Sequence, residues 1–300
     1  MKTRKRTTRV RGFAPWRPDR ESLELVKQVR TVLSLFRAYL PVSIRQVFYR
    51  LVSTVGYPKD EPSYKRLGDI LNRARRAGLI DWDDFRDDGF QRSRMSSFDS
   101  PADWAEVVLH SARIYRLDRQ QGQDRRLVVW CEAAGMVPQL ERVAKEFSVP
   151  VLCSGGFDSV TAKHSVAVEW ASMGDVTVLH LGDHDPSGVH MFGSLDEDIR
   201  SFLDGLGASG RVEFQRLAVT LDQVVELNLP TAPAKETDRR SFDGETVQCE
   251  AIPPDELARI LEQAIRDRFD QQELEGVLSL EEKQRTKLVE HVSDFLESLR

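Results

Sequence analysis

The chain has 300 residues, of which 40% are hydrophobic, so it can bury a substantial core, and its length suggests two domains. No run of apolar residues approaches the roughly 18 that a membrane span needs, and charged residues stand where a signal peptide has an apolar stretch. We therefore expect a globular cytoplasmic protein without a membrane-spanning segment.

The net charge of -5 conceals an asymmetry between the two parts of the chain. Residues 1–126 contain 27 Lys and Arg against 16 Asp and Glu, whereas residues 127–300 contain 16 against 32. A basic first half favours a polyanionic partner. Acidic groups in the second half either hold cations or stay solvated.

The first 120 residues have the character of a helical DNA-binding region. Residues 1–20 include eight basic residues and two prolines without apolar periodicity, so they predict a flexible basic arm that contacts phosphates. Apolar residues at helical spacing then predict a helix over 21–39, a second helix after Ser43 and a third from Ser63 to Gly78. The pattern is typical of a helix-turn-helix or winged-helix module over residues 21–120. Its predicted DNA-binding residues are Arg66, Arg73, Arg75 and Arg76.

Short apolar runs alternate with helical stretches from about residue 127 onward. The runs lie at 127–131, 149–153, 176–181 and 211–219, and the helices between them near 137–147, 159–172 and 189–205. Alternation of this kind predicts βαβ units and a mainly parallel sheet. Further helices are predicted near 254–270 and 280–299, so the second domain spans 121–300 and has a helical C-terminal extension.

Acidic residues directly follow two of the predicted strands. Glu132 follows the strand LVVWC, and Asp183 and Asp185 lie in the GDHDPSG turn that follows VTVLHL. The carboxyl ends of parallel strands meet at one edge of a sheet, so we expect the three carboxylates to converge there and to hold Mg²⁺. The alternative is that Asp183 and Asp185 only form a turn and cap a helix.

The strings CEAAGM, CSGGFDS and LGDHDPSGVHM resemble the Toprim core of topoisomerase VI A subunits and the related meiotic double-strand-break proteins. SIRQVFYRLVS (43–53) resembles the winged-helix segment of that family, in which the second aromatic residue is the catalytic tyrosine, here Tyr49. The resemblance covers about residues 21–220 and is strongest to the compact stand-alone Mini-A members. It implies a winged-helix domain followed by a Rossmann-like Toprim domain. It also implies that the metal ligands are Glu132, Asp183 and Asp185.

The resemblance further implies how such a protein works. Tyr49 attacks a phosphodiester of double-stranded DNA and forms a 5′-phosphotyrosyl link, beside the metal site of the other subunit in a homodimer. Such a protein is expected to associate with the nucleoid. A subunits of the family depend on a separate ATPase B subunit, and this chain contains no phosphate-binding loop for ATP. Because it is shorter than a full A subunit, docking of an ATPase partner and strand passage are left open.

A helical-wheel projection places Tyr49 beside, and not within, the apolar stripe formed by Ile44, Val47, Phe48 and Leu51. Arg45 lies one turn before Tyr49, so its guanidinium is expected to hold a phosphodiester beside the phenol and to favour the phenolate. The alternative is a tyrosine at the helix edge with its hydroxyl in water.

Two further alternatives follow from the same residues. One is a Toprim nuclease that uses the metal site to activate water, and the other is a non-catalytic DNA-binding protein whose acids have structural roles. Glu250, after the polar loop at 228–246, is expected to be a solvated surface residue.

Overall fold

The computed structural model describes residues 12–86, 97–153, 160–233, 242 and 244–298. Most of the predicted basic arm lies outside these residues, and so does the string CSGGFDS (153–159) except for Cys153. In the part of the chain that is described, no helix is both long enough and apolar enough to cross a membrane.

Three helices at the start of the described chain correspond to the predicted ones: α1 (Arg20–Leu35), α2 (Ile44–Val55) and α3 (Glu61–Arg76). Ser43 begins α2 with a capping box that it forms with Gln46. The predicted start of α3 after Ser63 was late, because Asp60 is the N-cap and accepts a hydrogen bond from the Ser63 N–H at 2.7 Å.

The described residues 12–86 contain these helices and one isolated parallel bridge, between Val42 and Phe85. Apart from that bridge, the described residues 12–86 contain no β-strand. The winged-helix arrangement therefore stays a prediction. A helix that the sequence did not predict, α4 (Pro101–Arg113), follows.

The centre of the molecule is a four-stranded parallel sheet, as predicted. Its strands are β1 (Arg126–Cys131), β2 (Val151–Cys153), β3 (Val176–Leu181) and β4 (Val212–Ala218), in the order β2-β1-β3-β4. The connecting helices are α5 (Val137–Ala144), α6 (Val160–Met173) and α7 (Pro186–Gly205). Their positions agree with the predicted βαβ alternation.

The remaining elements complete the chain beyond β4. They are α8 (Leu221–Glu226), the antiparallel pair β5 (Ala232–Pro233) and β6 (Glu245–Thr246), α9 (Pro254–Arg266) and α10 (Gln271–Ser298). The prediction that the last helix begins near 280 was wrong by about two turns. Asp270 accepts hydrogen bonds from the N–H groups of Gln272 and Glu273 and so starts the helix earlier.

One continuous hydrophobic core joins α1, α2 and α3 to the sheet and to α9. Its fully buried side chains include residues from each part: Val47, Leu71, Leu179 and Leu261. A separate cluster of Ala105, Leu109 and Leu296 packs α4 against α10. The N-terminal helices are thereby packed on the α/β body of the same chain.

The strand register determines where the chain leaves the sheet. Cys131 at the end of β1 is level with Leu181 at the end of β3. The Glu132 N–H then donates to the Leu181 carbonyl at 2.9 Å, so the two strands end side by side. Residues that follow β1 and β3 therefore share one edge of the sheet.

Candidate active site

Glu132 and Asp183 lie together at this edge, as the sequence predicted. The Asp183 N–H donates to Glu132 Oε2 at 3.1 Å. Asp185 is the N-cap of α7 and accepts a hydrogen bond from the Gly188 N–H at 2.7 Å. The capping role that was the alternative for Asp185 is thus present, and it occupies one carboxylate oxygen.

Two glycines make room for the Glu132 carboxylate. A Cβ atom on Gly182 would lie 2.6 Å from Glu132 Oε2. A Cβ on Gly188 would lie 2.2 Å from the Asp183 carbonyl oxygen and 3.2 Å from Glu132 Oε2. The GDHDPSG turn therefore needs glycine at both ends so that the acids can approach the backbone.

The electrostatic environment opposes negative charge at these acids. Burial, followed by the neighbouring charges of Asp183 and Asp185, raises the pKa of Glu132 to about 7. Burial also raises the pKa of Asp183, although a hydrogen bond from the Cys249 N–H counteracts it. A bound cation would lower the pKa of both carboxyl groups.

These residues fit a magnesium site in which protein carboxylates hold the ion together with water and phosphate. In the described ranges no three His, Cys, Asp or Glu side chains are assembled as a closed metal-ligand set. Mg²⁺, however, is normally held by one or two carboxylates together with water and substrate phosphate. Glu132 and Asp183 provide such a pair, and burial raises the pKa of both carboxyl groups.

Arg216 on β4 supports the acidic turn, a role that was not predicted from the sequence. Its guanidinium donates to the carbonyl oxygens of Gly182 at 3.1 Å and Gly188 at 3.4 Å, and also to that of Asp183. It therefore holds the backbone of the turn in place. The sequence signal for this role was a charged arginine inside the run at 211–219, which was predicted as an apolar strand.

Tyr49 lies close to the acids but is buried, which corrects the expectation that it lies off the core face. Only 6% of Tyr49 is exposed, and its hydroxyl donates to Gln248 Oε1. The helical wheel described only the side of α2 that packs on α1 and α3. A distant segment of the chain, residues 247–251, covers the other side.

The predicted effect of Arg45 on Tyr49 is outweighed. Burial raises the pKa of Tyr49, and the nearby Arg45 charge lowers it by less. The guanidinium of Arg45 pairs with the Glu250 carboxylate at 3.2 Å, while 49% of the Arg45 side chain stays exposed. Part of the guanidinium is thus available to an anion from solvent.

Glu250 is not the solvated surface residue that the sequence suggested. Only 7% of its side chain is exposed, because it packs under α2 against Arg45. Burial raises the pKa of Glu250, and the Arg45 partner partly offsets this. The alternation of apolar and polar residues in VQC (247–249) was a usable sequence signal for an extended, packed segment.

We call residues 247–251 the strap because they connect α2 to the acidic turn. Val247 forms two backbone hydrogen bonds with His184, at 2.8 and 2.9 Å. The Cys249 N–H donates to Asp183 Oδ1 at 2.8 Å. Gln248 and Glu250 contact α2, so this short segment touches both parts of the site.

A cleft of about 380 Å³ opens beside Tyr49. Its lining includes Arg45, Lys59, Tyr64 and Gln248. The Lys59 ammonium lies 5.8 Å from the centre of the Tyr49 ring and donates to the Pro230 carbonyl at 2.7 Å. The cleft opens at the edge of the tyrosine, and its walls carry two cations, Arg45 and Lys59, and two acidic residues, Asp60 and Glu61.

The arginines of α3 that were predicted to bind DNA differ in their surroundings. Arg73 is exposed, and Arg66 forms an exposed ion pair with Glu21 at 2.9 Å. Either guanidinium can give up its present contacts for a DNA phosphate at a small cost in free energy, because exposed ion pairs contribute little to stability.

Arg75 and Arg76 are held more firmly. The Arg75 guanidinium lies 5.3 Å from the ring centre of Trp82 and 5.5 Å from that of Phe85. Arg76 donates to the Gly12 carbonyl at 2.8 Å. Arg75 and Arg76 therefore contribute to the packing of the residues around α3.

No protein-family model matches the sequence, and a comparison with curated proteins finds no match.

Proposed function

We propose that this chain cleaves DNA in a Mg²⁺-dependent reaction in which Tyr49 is the nucleophile. The observation that supports this most is the strap, which holds the helix carrying Tyr49 and Arg45 against buried carboxylates at the ends of β1 and β3. The substrate is double-stranded DNA, and the arginines of α3 together with the basic arm supply sequence-independent affinity. A homodimer remains part of the proposal.

Glu132, Asp183 and Asp185 would hold the metal. When bound, Mg²⁺ neutralises charge on the scissile phosphate and stabilises the transition state. The exposed part of the Arg45 guanidinium is positioned to donate to a non-bridging phosphate oxygen, while Glu250 holds its other side.

Tyr49 carries the covalent step. Its hydroxyl exchanges the hydrogen bond to Gln248 for contact with the phosphate and releases its proton to water. The phenolate oxygen forms a bond to phosphorus and the P–O3′ bond breaks. The leaving 3′ oxygen takes a proton from water, and the 5′ end stays on the protein as a phosphotyrosine. The reverse reaction reseals the strand.

Hydrolysis by water is the second candidate, and the burial of Tyr49 favours it. A phenol that is 6% exposed, with its pKa raised by burial, is a better hydrogen-bond donor to phosphate than a nucleophile at neutral pH. In that case the acids serve the same metal-binding role and Tyr49 only positions the phosphate.

The experiment compares Tyr49→Phe with Tyr115→Phe on supercoiled DNA and Mg²⁺, with denaturation before and after protease treatment. Tyr115 is a matched control because its hydroxyl also donates to a glutamine side chain, Gln284, at 2.7 Å. Each substitution removes one hydroxyl and one hydrogen bond, which is about 1 kcal/mol of stability.

For a tyrosine nucleophile, Tyr49→Phe abolishes cleavage and the protease-sensitive DNA adduct, while Tyr115→Phe retains both. A roughly tenfold to hundredfold slower cleavage by Tyr49→Phe, with no adduct in either protein, establishes the water mechanism. Binding of DNA without Mg²⁺-dependent cleavage by the unaltered protein leaves a non-catalytic DNA-binding protein.

A further inference from the structure

We infer that His180 is a positioning residue of the metal site, and that its ring nitrogen Nδ1 accepts a hydrogen bond from a water molecule that Mg²⁺ carries beside Glu132. The inference rests on the proposed function and adds a residue to the part of the site that binds the ion. It concerns only the metal-binding edge of the sheet and is independent of which subunit supplies the tyrosine.

His180 is a buried polar residue whose Nδ1 has no partner in the part of the chain that the structure describes. The residue lies in β3 and is 3% exposed. No polar atom of the described residues forms a hydrogen bond with its Nδ1. A buried polar atom without a partner costs about 1–3 kcal/mol, which an apolar residue at this position would avoid. A polar atom kept at this cost indicates a partner that arrives with a ligand.

The ring of His180 faces the metal-binding edge of the sheet. A Cβ atom on Gly182 would lie 2.6 Å from His180 Cε1, 3.5 Å from His180 Nδ1 and 2.6 Å from Glu132 Oε2. The imidazole and the carboxylate therefore border the same point beside the backbone of Gly182. The ring also packs on Phe192 of α7, with the ring centres 4.7 Å apart, and this contact restricts its orientation.

A neutral imidazole is suited to this position. Burial, followed by the charge of Arg216, lowers the pKa of His180 to about 3, so the ring does not repel a cation at neutral pH. In the tautomer that is protonated on Nε2, Nδ1 is a hydrogen-bond acceptor. Mg²⁺ held by one or two carboxylates keeps several water molecules, each of which can donate. Groups that orient the ligands of a metal in this way commonly contribute about 10–100-fold to its affinity.

The test measures Mg²⁺ binding to the full chain, by isothermal titration calorimetry and by the rise in melting temperature that Mg²⁺ produces. His180→Leu and His180→Phe both remove the ring nitrogens and keep an apolar side chain, so that failure of one variant to fold leaves the other. His180→Asn keeps a polar atom close to the position of Nδ1. His164→Leu is the matched control, because the exposed His164 also packs on a phenylalanine of α7, Phe202, with ring centres 5.3 Å apart.

We expect His180→Leu and His180→Phe to bind Mg²⁺ about 10–100-fold more weakly than the unaltered chain, and His180→Asn to recover most of the affinity. Without Mg²⁺, the two apolar variants are expected to melt no lower than the unaltered chain, because they remove a buried polar atom that has no partner. His164→Leu is expected to leave the Mg²⁺ affinity unchanged. Weaker Mg²⁺ binding without a loss of metal-free stability separates a positioning role from a packing role.

Unchanged Mg²⁺ affinity in the folded apolar variants overturns the inference and leaves the proposed function intact. A lower melting temperature without Mg²⁺, together with no recovery of affinity in His180→Asn, shows a packing role and also overturns it. If the apolar variants lose at least tenfold more affinity for Mn²⁺ than for Mg²⁺, the nitrogen is a direct ligand and the water-mediated role is overturned. If the unaltered chain binds no Mg²⁺, the metal site of the proposed function fails and the inference fails with it.

Discussion

Burial and two neighbouring acids oppose the negative charge of Glu132. Its pKa is about 7 in the folded, metal-free chain against an ordinary value of 4.5. The folded state therefore binds the proton more tightly than the unfolded state does. As a consequence, the free energy of unfolding of the metal-free protein decreases as the pH rises from about 4.5 to about 7.

Glu132→Gln removes that charge while its side-chain oxygen can still accept the Asp183 N–H. We expect the metal-free variant to be more stable than the unaltered protein above pH 7, by on the order of 2 kcal/mol. We also expect it to lose most of the rise in melting temperature that Mg²⁺ produces. Thermal unfolding with and without Mg²⁺ measures both effects, and the exposed Glu141→Gln is the control that changes neither. A variant that Mg²⁺ stabilises normally contradicts the metal site.

Gly188 and Gly193 allow a matched test on one helix. The Cβ of Gly188→Ala collides with the Asp183 carbonyl oxygen, whereas the Cβ of Gly193→Ala meets nothing within 4 Å. We expect Gly188→Ala to destabilise the fold by about 1–3 kcal/mol and to weaken Mg²⁺ binding, because the acidic turn must shift. Gly193→Ala is expected to stabilise α7 by about 0.5–1 kcal/mol. Thermal unfolding and Mg²⁺ titration measure the two effects, and equal Mg²⁺ affinities would show that the turn geometry does not matter.

At the scale of an element, α3 has arginines with two roles. Arg75 covers the rings of Trp82 and Phe85, whereas Arg73 points into solvent. We expect Arg75→Ala to reduce the free energy of unfolding by about 1–2 kcal/mol through lost packing and cation–π contact. We expect Arg73→Ala to leave stability within about 0.5 kcal/mol.

For DNA binding we expect Arg73 to matter more than Arg75, which is the reverse of their expected effects on stability. Arg73→Ala is expected to reduce the log–log salt dependence of DNA binding by about 0.9, which corresponds to one lost phosphate contact. Filter binding or anisotropy over a range of salt concentrations measures this slope. An unchanged slope for Arg73→Ala removes α3 from the DNA interface.

At the scale of the molecule, a buried ion cluster joins the segment before the sheet to α10. The Arg119 guanidinium pairs with the Glu281 carboxylate at 2.8 Å, and Glu281 is 1% exposed. Arg285 contacts the same carboxylate at 3.3 Å. The Leu117 N–H donates to it at 3.0 Å. The carboxylate therefore holds α10 to the rest of the chain.

Glu281→Gln leaves the Arg119 charge with little solvent and with only the more distant Glu146 carboxylate, at 3.6 Å, as an ionic partner. We therefore expect a loss of about 2–3 kcal/mol in the free energy of unfolding. Glu282→Gln is the control, because Glu282 pairs with Arg285 on the exposed side of the helix. A loss below about 0.5 kcal/mol is expected there. Chemical denaturation measures both variants, and equal effects contradict the role of the buried cluster.

Local patterns in the sequence were sufficient for α1, α2 and α3, for the four strands of the parallel sheet and for the place of the acids. Apolar periodicity reports which residues of a segment share a buried face, and Ser43 caps its helix through neighbours only three residues away. The position of Glu132 and Asp183 followed from a general property of parallel strands, whose carboxyl ends share one edge.

The tertiary structure alone decided what surrounds these residues. Gln248 contacts Tyr49 across 199 positions of sequence, and Glu250 contacts Arg45 across 205. No periodicity within α2 reports such a partner, because a helical wheel relates residues only to their own helix. The helix α4 was not predicted, although its start carries local signals: Ser100 is the N-cap and Pro101 is the first helical residue. Pairing between distant segments depends on how the whole chain packs, and this packing buries Tyr49 and connects it through the strap to the acidic turn.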